Sequence, residues 1–311
     1  MAGSVRHSLA QFFRAFLPIS IWGCMIMLAT MIAMLVALQE PSVAECGLIS
    51  GADTLLDEAD GRLVLLGELH GTQQAPAFTA SLICQGVARG DHTILGLEMS
   101  ATEQDRLEAY LSSDGSETAI AALTAGSWFW ESSRDGRSSI AMLSLIDAVR
   151  RHRAAGASID LVAVDFDPVA DADLDDTPHI RDQAMLRRAR RFIGDADNIL
   201  ILVGNVHARR TPFVYGDLHL ETIGSLANPD EVYSLRLGVL GGEAWSCRRA
   251  DGVTECGPHA SAGYVDLGEH RVMSLDEAIE AGVLGIEADA YHRYVFLGES
   301  DVSRPLLAPT D

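Results

Sequence analysis

Two stretches of the 311-residue chain share one layout: Leu63-Val64-Leu65-Leu66-Gly67-Glu68-Leu69-His70 and Leu200-Ile201-Leu202-Val203-Gly204-Asn205-Val206-His207. In each, an aliphatic run reaches a glycine and delivers a histidine three residues later. Imidazole exchanges protons near neutral pH and is the commonest metal ligand. A third run, Ile94-Leu95-Gly96-Leu97-Glu98, ends on a carboxylate in the same way. Two imidazoles and a carboxylate with an open fourth position are what a catalytic Zn²⁺ or similar divalent ion requires, and such an ion supplies hydroxide near neutral pH. His70, Glu98 and His207 are therefore expected as metal ligands. Glu68 lies two residues before His70 and shares its face if the strand conformation persists, which makes it a ligand, an orienter or a general base.

Other residues could join them. Arg181, Asp182 and Arg209 are site neighbours or structural ion pairs, and Arg209 is the expected clamp for a developing negative charge. Trp128, Phe129, Trp130 and Arg137 either line a substrate pocket or pack in the core, with Ser138 as a helix cap. Asp165 and Asp167 follow a strand and can reach the same crevice. The acidic stretch from Asp171 to Asp182 imitates a calcium loop, but Asp176 occupies the position where that loop needs glycine, and Asp182 replaces the terminal Glu. A solvated loop is expected there. No Gly-x-Ser-x-Gly elbow supports a serine nucleophile.

These residues need strands to hold them. Continuous apolarity from Arg62 to Leu66, Thr93 to Leu97, Ile159 to Val164 and Asn198 to Val203 predicts strands covered on both faces. Helical spacing predicts helices through Phe78 to Val87, Ser139 to Ala155 and His179 to Ile193, and Ser100 with Glu103 makes a capping box. The alternation predicts an α/β fold, a largely parallel central sheet flanked by helices, with a more irregular β-containing C-terminal part. In such sheets ligands bind beyond the carboxyl ends of the strands, where both histidines emerge.

Gly67-Glu68-Leu69-His70, Gly96-Leu97-Glu98-Met99, Arg181-Asp182-x-x-Met185 and Gly204-Asn205-Val206-His207-Ala208-Arg209 resemble the motif series of the ChaN-like haem-binding and Tiki metalloprotease superfamily, a broad group that includes erythromycin esterases. The resemblance spans Leu63 to Arg210, with a weaker echo from Tyr291 to Gly298. It implies that His70, Glu98 and His207 belong to the site with Glu68 beside them. The chain departs from the pattern after His70, where Gly71-Thr72-Gln73-Gln74 carries neither the second histidine of haem-binding relatives nor the acid of the esterase pattern.

An uncharged run from Ile19 to Leu38 follows Arg6 and Arg14 and is long enough to cross a bilayer, so residues 1–44 are expected to be a signal peptide or an N-terminal membrane anchor. Residues 45–311 then form a single domain that is periplasmic or otherwise extracytoplasmic, touching the membrane only through that segment. Four cysteines remain beyond the leader, an even number in an oxidising compartment; Cys247 and Cys256 flank an Asp251-Gly252 turn and are expected to pair. A net charge of −21 makes nucleic acid a poor partner. The expectation is an exported metal-dependent hydrolase acting on an amide or ester of a small-molecule or peptide substrate, with Glu68 moving the proton and Arg209 steadying the developing charge. The alternative is a haem- or iron-binding uptake or storage protein using His70 and His207 without turnover.

Overall fold

The computed structural model describes residues 45–250, 252–261, 265 and 267–307. The expected leader lies outside these residues. In chain order the strands are β1 (Leu63–Glu68), β2 (Thr93–Ser100), β3 (Ile159–Asp165), β4 (Asn198–Gly204), β5 (Phe213–Tyr215), β6 (Leu218–Leu220), β7 (Val232–Gly238), β8 (Glu243–Ala250), β9 (Val253–Ala260), β10 (Arg271–Met273) and β11 (Arg293–Phe296). Seven of them form one sheet in the order β10-β11-β7-β1-β4-β2-β3. Every pair in it is parallel except β10 with β11. The other four strands make two antiparallel hairpins.

Strand periodicity explains why the aliphatic runs of β1, β2 and β4 are buried on both faces. Alternate side chains point to opposite faces. Val64, Leu66, Leu95, Leu97, Leu200 and Leu202 enter one core layer with the helices Gln74–Arg89 and Ile140–Ala154. Leu63, Leu65, Ile94, Ile199, Ile201 and Val203 enter the other, closed by the helix Ile180–Ala189 through Met185 and Leu186. Truncating any of these leucines to alanine costs about 2–5 kcal/mol.

Several local expectations are corrected. Ser100 caps a short 3-10 turn through the Thr102 N–H, and no capping box forms, because the buried Glu103 turns to Arg106 at 3.7 Å. Ser139, not Ser138, caps the helix Ile140–Ala154, while Ser138 donates to the carbonyl of Ser133. Trp130 is buried at 1% exposure but Trp128 is 67% exposed, so core packing accounts for one tryptophan of the two. The acidic loop is not simply solvated: Asp171 is fully buried, with its oxygens on Arg187 and Arg188. The C-terminal strands β7, β10 and β11 complete the main sheet, and β7 lies directly against β1.

Cys247 pairs with Cys256 across the β8–β9 hairpin as expected, and Cys46 pairs with Cys84. Among the described residues no helix is long and apolar enough to cross a membrane.

Candidate active site

Strand order decides what the motifs build. β1, β4, β2 and β3 are successive neighbours, so their carboxyl ends stand side by side. His70 leaves β1, His207 leaves β4, Glu98 lies on β2 and Asp165 ends β3. The β2–β3 register shifts between Leu97 and Ser100, the kind of irregularity that re-aims a side chain, and Glu98 falls inside it.

Glu98 is the centre. Its Oε2 accepts the Gly204 N–H at 2.7 Å and lies 3.5 Å from His70 Nε2; its Oε1 lies 3.7 Å from His207 Nε2. Arg181 Nη2 and Arg137 Nη1 donate to the same Oε1 at 2.7 and 3.1 Å. Glycine at 204 leaves room for this contact: a Cβ there would stand 3.0 Å from His70 Nε2 and 3.4 Å from Glu98 Oε2 and crowd both.

Each imidazole is held from behind by its own carboxylate. His70 Nδ1 is 2.9 Å from Glu68 Oε1, and His207 Nδ1 is 2.8 Å from Asp182 Oδ1. An N–H donated from each Nδ1 fixes the tautomer and leaves both Nε2 atoms facing Glu98. Asp182 also accepts the Ile223 N–H at 3.1 Å. Arg181 sits one residue earlier on the same helix and is braced by Asp165, with Nε donating at 3.0 Å. Arg137 is braced by Asp135, its Nη2 2.8 Å from Oδ2.

Burial works against charge on Glu98, but His70, His207, Arg137 and Arg181 together outweigh it and hold its carboxyl far below the usual range. Burial likewise disfavours an imidazolium at His70, yet Glu98 and Glu68 raise its pKa above the ordinary value. At His207 burial is overcome in the same direction by Asp182 and Glu98. Both histidines therefore hold protons to a higher pH than free imidazole.

His70, His207, Glu98 and Glu68 are thus brought together. Arg209 is not joined to them: its Nη2 donates to Glu287 and, at 3.0 Å, to Thr211. The guanidiniums that do reach Glu98 come from Arg137 and Arg181. Nothing in the spacing of Asp135-Gly136-Arg137 marks it as a partner of β2; it is carried in by a loop whose Gly136 packs against Gly71, where a Cβ would lie 2.5 Å from the Gly71 nitrogen.

The expected metal centre does not fit this donor set. Glu98 already accepts from two guanidiniums and a backbone N–H, which leaves it little capacity to ligate a cation. Among the described residues no three His, Cys, Asp or Glu side chains are arranged to hold a metal ion. Haem fits no better, because both Nε2 atoms face one carboxylate inside an ionic cluster and not an apolar slot.

The class these features define is an α/β protein with a two-histidine, carboxylate–guanidinium site at the carboxyl edge of its sheet. No protein-family model matches the sequence and no curated protein matches it. Solved structures do share the fold. The chain superposes on a histidine-to-asparagine mutant of the erythromycin esterase EreC in its open conformation with a TM-score of 0.59, at 13% identity over 83% of this chain and 95% of that one. A Bacillus cereus protein gives a TM-score of 0.57 at 13% identity, over 84% and 96%. A succinoglycan biosynthesis protein gives 0.59 at 9% identity, over 80% and 91%. These likenesses show a shared fold, and the α/β fold with a largely parallel central sheet is the one expected from the alternation of strands and helices.

Proposed function

We propose that the chain is an exported hydrolase of an ester or amide bond that works by paired imidazole acid–base catalysis, without a resident metal. The observation that carries this reading is the doubled arrangement in which two carboxylate-backed imidazoles turn their Nε2 atoms to one place. His70 is the base: its Nε2 takes a proton from water as the water oxygen attacks the carbonyl carbon. His207 is the acid, and its Nε2–H protonates the leaving oxygen or nitrogen as that bond breaks. The assignment follows from the partners. Glu68 has His70 as its side-chain partner, so its charge serves the imidazolium that forms there, whereas Asp182 divides itself between His207 and the Ile223 N–H. Glu68 is then an orienting group, not the proton carrier. Arg137 and Arg181 fix the Glu98 carboxylate that both Nε2 atoms face.

The esterase named among the fold neighbours supports the reaction class, and the two disulfides support an oxidising compartment. The test is hydrolysis of p-nitrophenyl acetate by the purified protein in EDTA. Turnover that survives the chelator and falls about 10²–10⁴-fold in His70→Ala is expected. Activity that disappears with EDTA and returns with Zn²⁺ would refute the metal-free mechanism.

A further inference from the structure

Arg236 lies on β7, opposite Gly67 of β1 and Tyr294 of β11. That is the carboxyl end of the sheet, one strand from the segment that delivers His70. Its neighbours Leu235 and Leu237 fill the first core layer, so the Arg236 side chain enters the opposite one, where Ser234 on the same face donates to the Ala208 carbonyl. The chain has 44 acidic residues against 23 Lys and Arg, and several buried or half-buried guanidiniums meet carboxylates: Arg137 and Arg181 at Glu98, Arg188 at Asp171, Arg209 at Glu287. Arg236 is half-buried, makes no ion pair among the described residues, and has a buried Nη1 without an acceptor.

A second orphan lies in the same neighbourhood. Arg209 is 5% exposed, and its Nε has no acceptor although Nη2 reaches Glu287. The charges of both arginines bear on one phenol, Tyr291, whose hydroxyl donates to the Asn205 carbonyl at 2.7 Å. The Asn205 N–H in turn donates to the Glu68 carbonyl at 2.8 Å. This links the arginine pair to the residue that orients His70.

Leaving a guanidinium partly desolvated and unpaired is costly, and a planar fork of N–H donors matches carboxylate and phosphate oxygens. We propose that Arg236, with Arg209 and Tyr291 beside it, forms a subsite for an oxyanion, the carboxylate or phosphate group of a ligand. That the ligand is the substrate rests on the hydrolase reading; the anion site itself does not.

Thermal unfolding of the purified protein tests it without using turnover. At constant pH and ionic strength, chloride is exchanged for acetate in one arm and for inorganic phosphate in the other. At least one exchange is expected to raise Tm by ~3 °C, and the arm that does so identifies the group. Arg236→Met should lose that increment and, in chloride, melt no lower than the parent, because an unpaired cation has been removed. If the Met variant does not fold, Arg236→Gln, neutral but able to hydrogen-bond, answers the same question. The proposal is overturned by no rise in either arm, by an equal rise in a folded neutral variant, or by a Met variant that folds and melts well below the parent in chloride. Hydrolysis without an oxyanion response removes this subsite alone, and an oxyanion response without hydrolysis removes the hydrolase reading alone.

Discussion

Glu98 and Asp171 are both buried carboxylates held by two guanidiniums, yet they do different things. Asp171 takes Arg187 and, at 2.7 Å, Arg188, and among its contacts there is no group that titrates near neutral pH. It ties the loop after β3 to the helix Ile180–Ala189. Glu98 takes Arg137 and Arg181 and has two imidazoles as well. With the carboxylates of Glu68, Asp135, Asp165 and Asp182 around it, acids outnumber the two guanidiniums, and protons on the histidines offset most of the excess. The same ion-pair chemistry is a staple where guanidiniums alone answer the carboxylate. It becomes a proton-handling site where acids outnumber guanidiniums and favour a charged imidazole.

Breaking the catalytic half has the largest expected effect. His70→Ala and His207→Ala should each lower kcat/KM for ester hydrolysis about 10²–10⁴-fold, and the double variant should be little worse than the poorer single one, because the two act as a unit. Independent losses that multiply would separate the imidazoles. His219, 60% exposed beside Glu221, is the control, and His219→Ala should leave turnover unchanged.

The structural half breaks differently. Asp171→Ala leaves Arg188, with its side chain 8% exposed, without its acid and should cost about 3–5 kcal/mol in urea unfolding. Turnover of the folded fraction should stay at the parental level. A loss of kcat with unchanged stability would show that the two clusters are not distinct.

A pH profile sharpens the contrast. The base must be neutral and His70 has a raised pKa, so kcat/KM should climb with pH through a value above 6.5. Glu68→Gln removes one cause of the raise and should move that limb to lower pH. His207 must be protonated, and its raised pKa carries the alkaline limb upward; Asp182→Asn should bring that limb down. Stability runs the other way. Both folded pKa values are raised, so the contribution of these pairs is complete below about 6.5, the unfolded value, and is lost as pH rises through the folded values. A profile unmoved by either substitution would take the carboxylates out of the mechanism.

The smallest effect is expected at the surface. Arg89 and Asp57 pair at 2.7 Å with the Asp side chain 71% exposed, and Arg89→Ala should change stability by under about 1 kcal/mol.

Much of this was written in local sequence. Aliphatic runs specify strands, and these are β1, β2, β3 and β4 with ends shifted by up to three residues, because hydrophobic periodicity reports burial and burial is what a parallel sheet demands. The two Gly-x-x-His motifs and Glu98 were legible for the same reason: each hangs on the end of such a strand. Strand order was not legible. That β4 lies between β1 and β2, and β7 on the other side of β1, depends on which faces pack together across more than a hundred residues. That order sets His70 and His207 around Glu98, brings Arg137 and Arg181 onto it, and sends Arg209 elsewhere. Ion pairing of this kind has no sequence period, since a charge finds its partner through space, and only the folded chain decides which carboxylate is left for chemistry.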